Sequence, residues 1–205
     1  MAIIKKVFPG KEKEIAEKAA RIMKEGGVIV FPTESSYGLG VDATNETAIK
    51  KIAPIKGQSE EKNISIIVAN LEQAEQFGFI KEDAKKLAER FMPGPLTLIV
   101  KKKPGVSSLL GNETIAFRIS SNPIARSVCT ALGNGITATS ANLHERPNIY
   151  DAREAIKEFN NRVHLIIDDG ELAHNTPSTI YNVLEKRILR TGPIMEFRIK
   201  QALGG

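Results

Sequence analysis

Residues 28–43 read VIVFPTESSYGLGVDA, and the change of character inside this stretch governs the fold prediction. The first four residues, 28–31, are apolar and mostly β-branched or aromatic, as in a short buried strand. Pro32 fixes the exit of the chain, and four residues with hydroxyl or carboxylate groups follow it. Gly38 and Gly40 then allow backbone shapes that leave amide groups open. Such a strand end predicts a pocket for a small polar ligand; the alternative is a loop whose side chains cap the next helix.

The composition is typical of a globular protein and predicts one domain over residues 1–205. Hydrophobic residues make up 41% and charged residues 26% of the chain, and no apolar run reaches the roughly 18 residues that a membrane span needs. The N-terminal apolar stretch is too short for a signal peptide. Cys129 is the one cysteine, which excludes an intrachain disulfide and a cysteine-based metal site. We therefore expect a cytoplasmic protein without membrane contact.

The charge balance is mildly basic, with 29 Lys and Arg against 24 Asp and Glu and a net charge of +5. This excess suits an anionic partner, either a nucleotide or RNA. It also fits a protein whose charge only keeps it soluble.

The periodicity of apolar residues alternates between helical and extended segments, which predicts an α/β (α+β) domain with a mixed sheet partly covered by helices. Helices are expected at 11–25, 46–54, 81–92, 122–132 and 151–159. Strands are expected at 28–31, 64–68, 96–101, 114–119, 136–139, 163–167, 178–184 and 187–190. The last residues fit either a strand or a helix. Neither GxGxxG nor GxxxxGK[ST] occurs, so a nucleotide site would be built differently from the two common ones.

Two segments place cations where an anion could bind. The loop 56–62 begins and ends with Lys56 and Lys62, whose charges could neutralise phosphates or merely be solvated. Arg118 lies among apolar strand residues, so that it either pairs with an anion or faces solvent from an edge strand.

Two further segments end strands with small polar residues. Residues 136–142, ITATSAN, could hold a phosphate, a ribose or a carboxylate, or could cap a helix. Residues 177–180 open one strand and 188–193 close the next. If these two strands form a hairpin, Ser178 and Arg190 should lie near each other; an edge hairpin without function is the alternative.

Nucleophilic and metal-dependent sites are not indicated. The three histidines, at 144, 164 and 174, lack the spacing of metal ligands, and His164 fits a structural role in an apolar strand. Cys129 lies among apolar helix residues and fits a core position. The available chemistry is electrostatic, from lysines, arginines, hydroxyls and open amides.

Taken in order, seven motifs resemble those of the YrdC and Sua5 proteins, the threonylcarbamoyl-adenylate synthases. They are P-T-E-x-x-Y-G-L-G at 32–40, the lysine loop, P-G-P-L-T at 93–97, F-R-I at 117–119, T-S-A-N at 139–142, P-S-T at 177–179 and R-x-G at 190–192. The resemblance covers about residues 10–195. It implies a twisted sheet with a large, positively charged concave cavity.

The resemblance also implies a reaction. L-Threonine, bicarbonate and ATP would give threonylcarbamoyl-AMP and pyrophosphate, with Mg²⁺ accompanying ATP. A separate transferase would then carry the threonylcarbamoyl group to tRNA.

The resemblance implies roles for individual residues. Threonine would be bound by Thr33, Tyr37, Arg118 and Ser178. The nucleotide would be bound by Lys56, Lys62, Ser140, Asn142 and Arg190. Catalysis would depend on Lys56, Arg118, Ser140 and Asn142. Of these, Ser140 and Asn142 would bind the nucleotide phosphates or the metal.

The lysine loop departs from the family pattern K-x-R-P, because Gln58 and Ser59 stand where the family has Arg and Pro. Glu60 and Glu61 add negative charge there, and Lys62 would partly offset it. Two other functions remain possible for the same fold: a module that binds double-stranded RNA or tRNA without catalysis, and another carbamoyl-adenylate chemistry such as that of hydrogenase-maturation proteins.

Overall fold

Two mixed β-sheets form the framework of the computed structural model, which describes residues 1–59 and 63–204. The strands of this described part are β1 Ile3–Lys6, β2 Ile29–Pro32, β3 Tyr37–Gly40, β4 Ile66–Ile67, β5 Leu96–Lys101, β6 Thr114–Arg118, β7 Ile136–Thr137, β8 Thr139–Ser140, β9 Leu165–Asp168, β10 Thr179–Asn182 and β11 Arg187–Arg190. The helices are α1 Glu12–Lys24, α2 Glu46–Ile49, α3 Ile52–Lys56, α4 Leu71–Phe77, α5 Glu82–Phe91, α6 Pro123–Leu132, α7 Ala152–Phe159 and α8 Glu196–Leu203, with a 3-10 turn at Ser108–Leu110.

The two sheets differ in strand order but are both mixed. The five-stranded sheet has the order β1-β9-β2-β3-β8, with β9 parallel to both β1 and β2. The six-stranded sheet has the order β11-β10-β5-β6-β4-β7, with β10 parallel to β5 and antiparallel to β11. The prediction of a mixed α/β fold is confirmed, although the strands divide between two sheets instead of forming one.

The switch between the sheets occurs within the predicted strand 136–139. Ala138 separates β7, which pairs with β4, from β8, which pairs with β3. The backbone N–H of Ala138 donates to the carbonyl of Ser65 at 2.7 Å, and the Ser65 hydroxyl donates back to the Ala138 carbonyl. One short polar segment therefore links the two sheets and brings Ser140 to their junction.

The helices cover the outer faces as their apolar stripes require. Helices α1 and α6 pack on each other and form one apolar cluster with Ile29 and Phe31 of β2, which also includes Ile67 of β4. Val30 of β2, and Val28 just before this strand, belong to the larger apolar cluster, which also includes Leu98 of β5. The main core thus lies between the two sheets and holds their strand ends at fixed positions.

Most predicted helices and strands are present, and the differences have local causes. The predicted helix at 46–54 is divided into α2 and α3 at Lys50 and Lys51. Sequence reasoning missed β1, β3 and α4 and left α8 unassigned. Strand β3 has two glycines among its four residues, and glycine has low strand propensity. Strand β1 is a mostly exposed edge strand with no alternating pattern.

The glycines of β3 allow close approach to Phe31 and Thr137. A Cβ at Gly40 would lie 2.5 Å from the carbonyl oxygen of Thr137, which is backbone and cannot rotate away. We therefore expect Gly40→Ala to lower the free energy of unfolding by about 2 kcal/mol in urea titrations, as overpacking of a buried site does.

Gly38→Ala is the matched control in the same strand. A Cβ at Gly38 would first meet the ring of Phe31 at 3.1 Å, and a side chain can shift by the few tenths of an ångström needed. The expected loss is under half that of Gly40→Ala. Equal losses would show that glycine propensity in the strand, and not the contact with Thr137, sets the cost.

Candidate functional site

A cavity of about 700 Å³ opens between the two sheets. One wall comes from the five-stranded sheet, through the β2–β3 turn and β8. The other comes from β5, β6, β10 and β11 of the six-stranded sheet. Among the residues assigned roles above, those that line this cavity are Thr33, Tyr37, Arg118, Ser140, Ser178 and Arg190.

The Ser178 hydroxyl lies at the meeting point of three side chains. Nη1 of Arg118 donates to it at 3.2 Å and Nη2 of Arg190 at 3.0 Å, while Oγ1 of Thr97 lies 2.8 Å away. Nε of Arg190 also donates to the Ser178 carbonyl at 3.0 Å. The expectation that the β10–β11 hairpin brings Ser178 and Arg190 together is confirmed. Two guanidinium groups therefore converge on one small polar side chain inside a cavity, an arrangement suited to an anionic ligand.

Arg118 also lies beside a carboxylate. Its Nε is 3.0 Å from Oε1 of Glu34, and both side chains are only 12% exposed. The N–H is not directed at that oxygen, and neither atom has a hydrogen-bond partner among the described residues. The contact is thus a close charge pair and not an aligned hydrogen bond.

The positive charges of the two arginines are compensated to different degrees. Burial lowers the pKa of Arg118, and the Glu34 carboxylate opposes this effect. The pKa of Arg190 is lowered by burial and then by the positive charge of Arg118. Both stay charged at neutral pH, because an arginine begins from a very high pKa. No carboxylate pairs with Arg190 within residues 1–59 and 63–204, so the pair of arginines has an excess positive charge.

Lys56 and Asn142 are in contact with the part of the cavity wall formed by Thr139 and Ser140. The Lys56 ammonium donates to Oγ1 of Thr139 at 2.9 Å and to the Ser140 carbonyl at 3.0 Å. The Ser140 hydroxyl donates to the side-chain oxygen of Asn142. The side-chain nitrogen of Asn142 donates to the Arg146 carbonyl at 2.6 Å. A buried cation and a fixed hydroxyl are therefore placed side by side at the junction of the sheets.

The hydroxyls of Thr33 and Tyr37 are hydrogen-bonded to other groups of the protein. The Thr33 hydroxyl donates to the Ser36 carbonyl at 2.7 Å and so closes the β2–β3 turn. The Tyr37 hydroxyl donates to the Gly170 carbonyl at 2.8 Å and accepts from the N–H of Asp169 at 3.0 Å. Burial raises the pKa of Tyr37 well above its usual value. Both hydroxyls therefore already have hydrogen-bond partners within the protein.

Several of the alternative interpretations are wrong. Strand β6 lies between β5 and β4, so Arg118 is not an exposed residue of an edge strand. No helix follows 136–142, since the next one begins at Ala152, and residues 33–36 lead into a strand instead of capping a helix. Lys56 is only 5% exposed, so the alternative of a solvated charge is wrong for this residue of the lysine loop.

The rest of the lysine loop is only partly described. Lys62, Glu60 and Glu61 lie outside the described residues. Gln58 is described, and its side-chain nitrogen lies 2.7 Å from Nδ1 of His144. Thus the amide group of Gln58, which is hydrogen-bonded to His144, occupies the position where the family pattern has an arginine.

Glu34 and Thr97 lie within the motifs at 32–40 and 93–97, but neither has a role in the predictions above. A signal for Thr97 was available, because a hydroxyl in the apolar strand LTLIV must find a partner when buried. Glu34 gave no such signal, since a carboxylate in a turn is usually exposed.

The remaining reactive groups are structural. The Cys129 thiol is buried against the Ile67 carbonyl, and burial raises its pKa to about 12, so that it is not a thiolate nucleophile at neutral pH. His164 accepts the N–H of Val28 at 3.1 Å. In the described part of the chain no three His, Cys, Asp or Glu side chains gather as metal ligands, and no helix has the length and apolar character of a membrane span.

Comparison with known proteins points to one family. The profile of the Sua5/YciO/YrdC family, described as telomere recombination, matches residues 21–192. The threonylcarbamoyl-AMP synthase of Idiomarina loihiensis is 34% identical over 180 residues, which cover 84% of this chain and 96% of that protein. The threonylcarbamoyl-AMP synthase of Pyrococcus abyssi is 35% identical over 191 residues. That match covers 91% of this chain and 56% of the Pyrococcus protein, so the chain spans little more than half of its length.

A solved structure agrees with the sequence comparison. The crystal structure of Pyrococcus abyssi Sua5 complexed with L-threonine superposes with a TM-score of 0.89 at 33% identity. The superposition covers 100% of this chain and 61% of that one. The names of these relatives do not favour the alternative of an RNA-binding module without catalysis.

Proposed function

Because the chain belongs to the Sua5/YciO/YrdC family, we propose that it forms L-threonylcarbamoyl-AMP from L-threonine, bicarbonate and ATP and releases pyrophosphate. The structural observation that carries the proposal is the convergence of Arg118 and Arg190 on Ser178 inside the cavity. All three substrates bring negative charge, and this site offers fixed cations and hydroxyls without a nucleophile. The names of the synthase relatives supply the identity of the reaction.

The chemistry requires two bond-forming steps. The amine of threonine and bicarbonate give a carbamate with loss of water. A carbamate oxygen then attacks the α-phosphorus of ATP, the new O–P bond forms, and the bond to the β-phosphate oxygen breaks as pyrophosphate leaves. Both partners in the second step are anions, so that cations at fixed positions reduce their repulsion and orient them.

We infer that threonine and the nucleotide bind to different parts of the cavity. We infer that Arg118 and Ser178 bind the threonine carboxylate. Thr33 and Tyr37 would contribute to threonine binding through the shape and the backbone of the β2–β3 turn. We infer that Lys56, Ser140 and Asn142 face the nucleotide phosphates, with Arg190 reaching them from β11 and Lys62 from the lysine loop.

The expected Mg²⁺ would enter with ATP. Magnesium is commonly held by substrate phosphates with one or two protein oxygens, and Ser140 and Asn142 offer neutral oxygens of this kind. These donors fit an ion held mainly by phosphate, which would supply charge neutralisation at the reacting phosphorus.

The broader setting follows from the same proposal. We infer one domain over residues 1–205, because the larger apolar cluster joins both sheets. We also infer a basic cavity, a location in the cytoplasm where ATP and threonine are available, and a separate transferase that passes the product to tRNA. Direct binding of tRNA or double-stranded RNA is the alternative that the following experiment tests.

The test is pyrophosphate release from ATP and bicarbonate with and without L-threonine, with mass detection of the adenylate product and L-serine as the comparison substrate. We expect threonine-dependent release and the mass of threonylcarbamoyl-AMP. If ATP binds but no release occurs at any threonine concentration, the synthase proposal is wrong. Binding of RNA with a steep salt dependence and no need for ATP would then support the alternative.

A further inference from the structure

We propose that Glu34 is a positioning residue that holds the Arg118 guanidinium in the orientation that receives the carboxylate of the amino-acid substrate. The inference rests on the proposed function for the identity of that substrate. Glu34 has no role in the reaction scheme above, yet its carboxylate is the one anionic group paired with Arg118 in the described part of the chain.

Glu34 is itself fixed at both ends. The Ser120 hydroxyl donates to Oε2 of its carboxylate, and the side-chain nitrogen of Asn175 donates to its backbone carbonyl at 2.8 Å. Ser120 is completely buried. A side chain held in this way gives its neighbour a rigid reference, so the position of Oε1 is set independently of any ligand.

The geometry leaves the two Nη groups of Arg118 for the cavity. Glu34 lies on the Nε side at 3.0 Å, while Nη1 points to the Ser178 hydroxyl. A guanidinium whose Nε lies beside a fixed carboxylate, as a charge pair, can still present its outer nitrogens to a ligand carboxylate. The Ser178 hydroxyl accepts from both arginines in the free protein, and a ligand oxygen at this point would accept the same donors.

Glu34 also offsets charge beside Ser178. Two guanidinium groups and Glu34 leave a net charge of +1 there, so the site still attracts anions. Without Glu34, the charge of Arg118 would be uncompensated beside Arg190. Glu34 therefore favours an Arg118 that stays at Ser178 for the substrate carboxylate, while Arg190 remains available to the nucleotide phosphates.

The test compares Glu34→Gln with the wild-type chain. We expect the KM for L-threonine to rise about tenfold, with kcat changed less than threefold and the KM for ATP unchanged. Glu34→Asp, which keeps the charge on a shorter side chain, should recover part of the affinity. Ser120→Ala should raise the threonine KM by about threefold, because Glu34 then loses its anchor but keeps its charge.

Glu158→Gln is the matched control. Glu158 forms a surface ion pair with Arg162 at 3.5 Å, so this variant also removes a carboxylate from a guanidinium, but far along the chain on α7. It should leave both KM values unchanged. A general fall in kcat with both substrates in Glu34→Gln, or a fall in its threonine KM, would overturn the positioning role.

A readout that needs no turnover separates this inference from the proposed function. The ¹⁵N–¹H resonance of Arg118 Nε, assigned by its loss in Arg118→Lys, should shift in Glu34→Gln and stay in place in Glu158→Gln. An unshifted resonance overturns the inference even in an active synthase. A shifted resonance in a chain that makes no threonylcarbamoyl-AMP would support the positioning of Arg118 and refute the reaction.

Discussion

Replacement of Arg118 by alanine should lower kcat/KM for L-threonine about a thousandfold. Truncating one member of a buried, hydrogen-bonded charge pair costs about 2–5 kcal/mol, and a thousandfold change corresponds to about 4 kcal/mol. Arg118 is 12% exposed and donates to Ser178 in the wall of the cavity, so water cannot replace it fully. Steady-state kinetics at saturating ATP, with threonine varied, measures the effect.

The same substitution should weaken the fold, and the two effects have to be separated. Arg118→Ala leaves the buried Glu34 carboxylate without its cation, which we expect to cost about 3 kcal/mol of unfolding free energy. The double variant Arg118→Ala with Glu34→Gln removes the charge as well. It should recover most of the stability in urea titrations and none of the activity.

Two results would contradict this assignment. A threonine kcat/KM within tenfold of wild type in the stable double variant would show that Arg118 does not bind the substrate. A loss that appears equally in the KM for ATP would place Arg118 at the nucleotide instead of at threonine.

The sequence was sufficient for the class of the fold and for the bounds of helices with clear capping residues, because these depend on local signals. Helix α6 shows this clearly: Asn122 accepts the N–H groups of Ile124 and Ala125, Pro123 opens the first turn, and Gly133 ends the helix at φ +80°. Each of these residues has a known preference for its position at a helix end, and this preference does not depend on tertiary contacts.

The division into two sheets could not be read in the same way. A strand that changes sheets at Ala138 has the same alternation of residues as one that does not, and its pairing is decided by partners far along the chain. The candidate site has the same limit. Hydroxyls and arginines could be recognised as ligand-binding types, but the contact of Arg118 with Glu34 joins residues 84 positions apart and depends on the fold.

The lysine loop raises the question of which cation supports the nucleotide when the family arginine is replaced by Gln58. The fold fixes Lys56 at the start of this loop, since its ammonium donates to Thr139 and to the Ser140 carbonyl. Replacement by methionine keeps the length and the apolar stem but removes the charge. It should cost little stability, about 1 kcal/mol for the lost hydrogen bonds.

We expect Lys56→Met to lower kcat/KM for ATP about a hundredfold, because a buried cation contributes strongly to a developing phosphate charge where water is excluded. The dissociation constant of L-threonine, measured by calorimetry without ATP, should stay within twofold of wild type. Lys50→Met is the matched control, since Lys50 is exposed and pairs with Glu46 at 2.9 Å on α2. An unchanged kcat/KM for ATP in Lys56→Met would show that Lys56 only connects α3 to β8. The cations that bind the phosphates would then be Arg190 and Lys62.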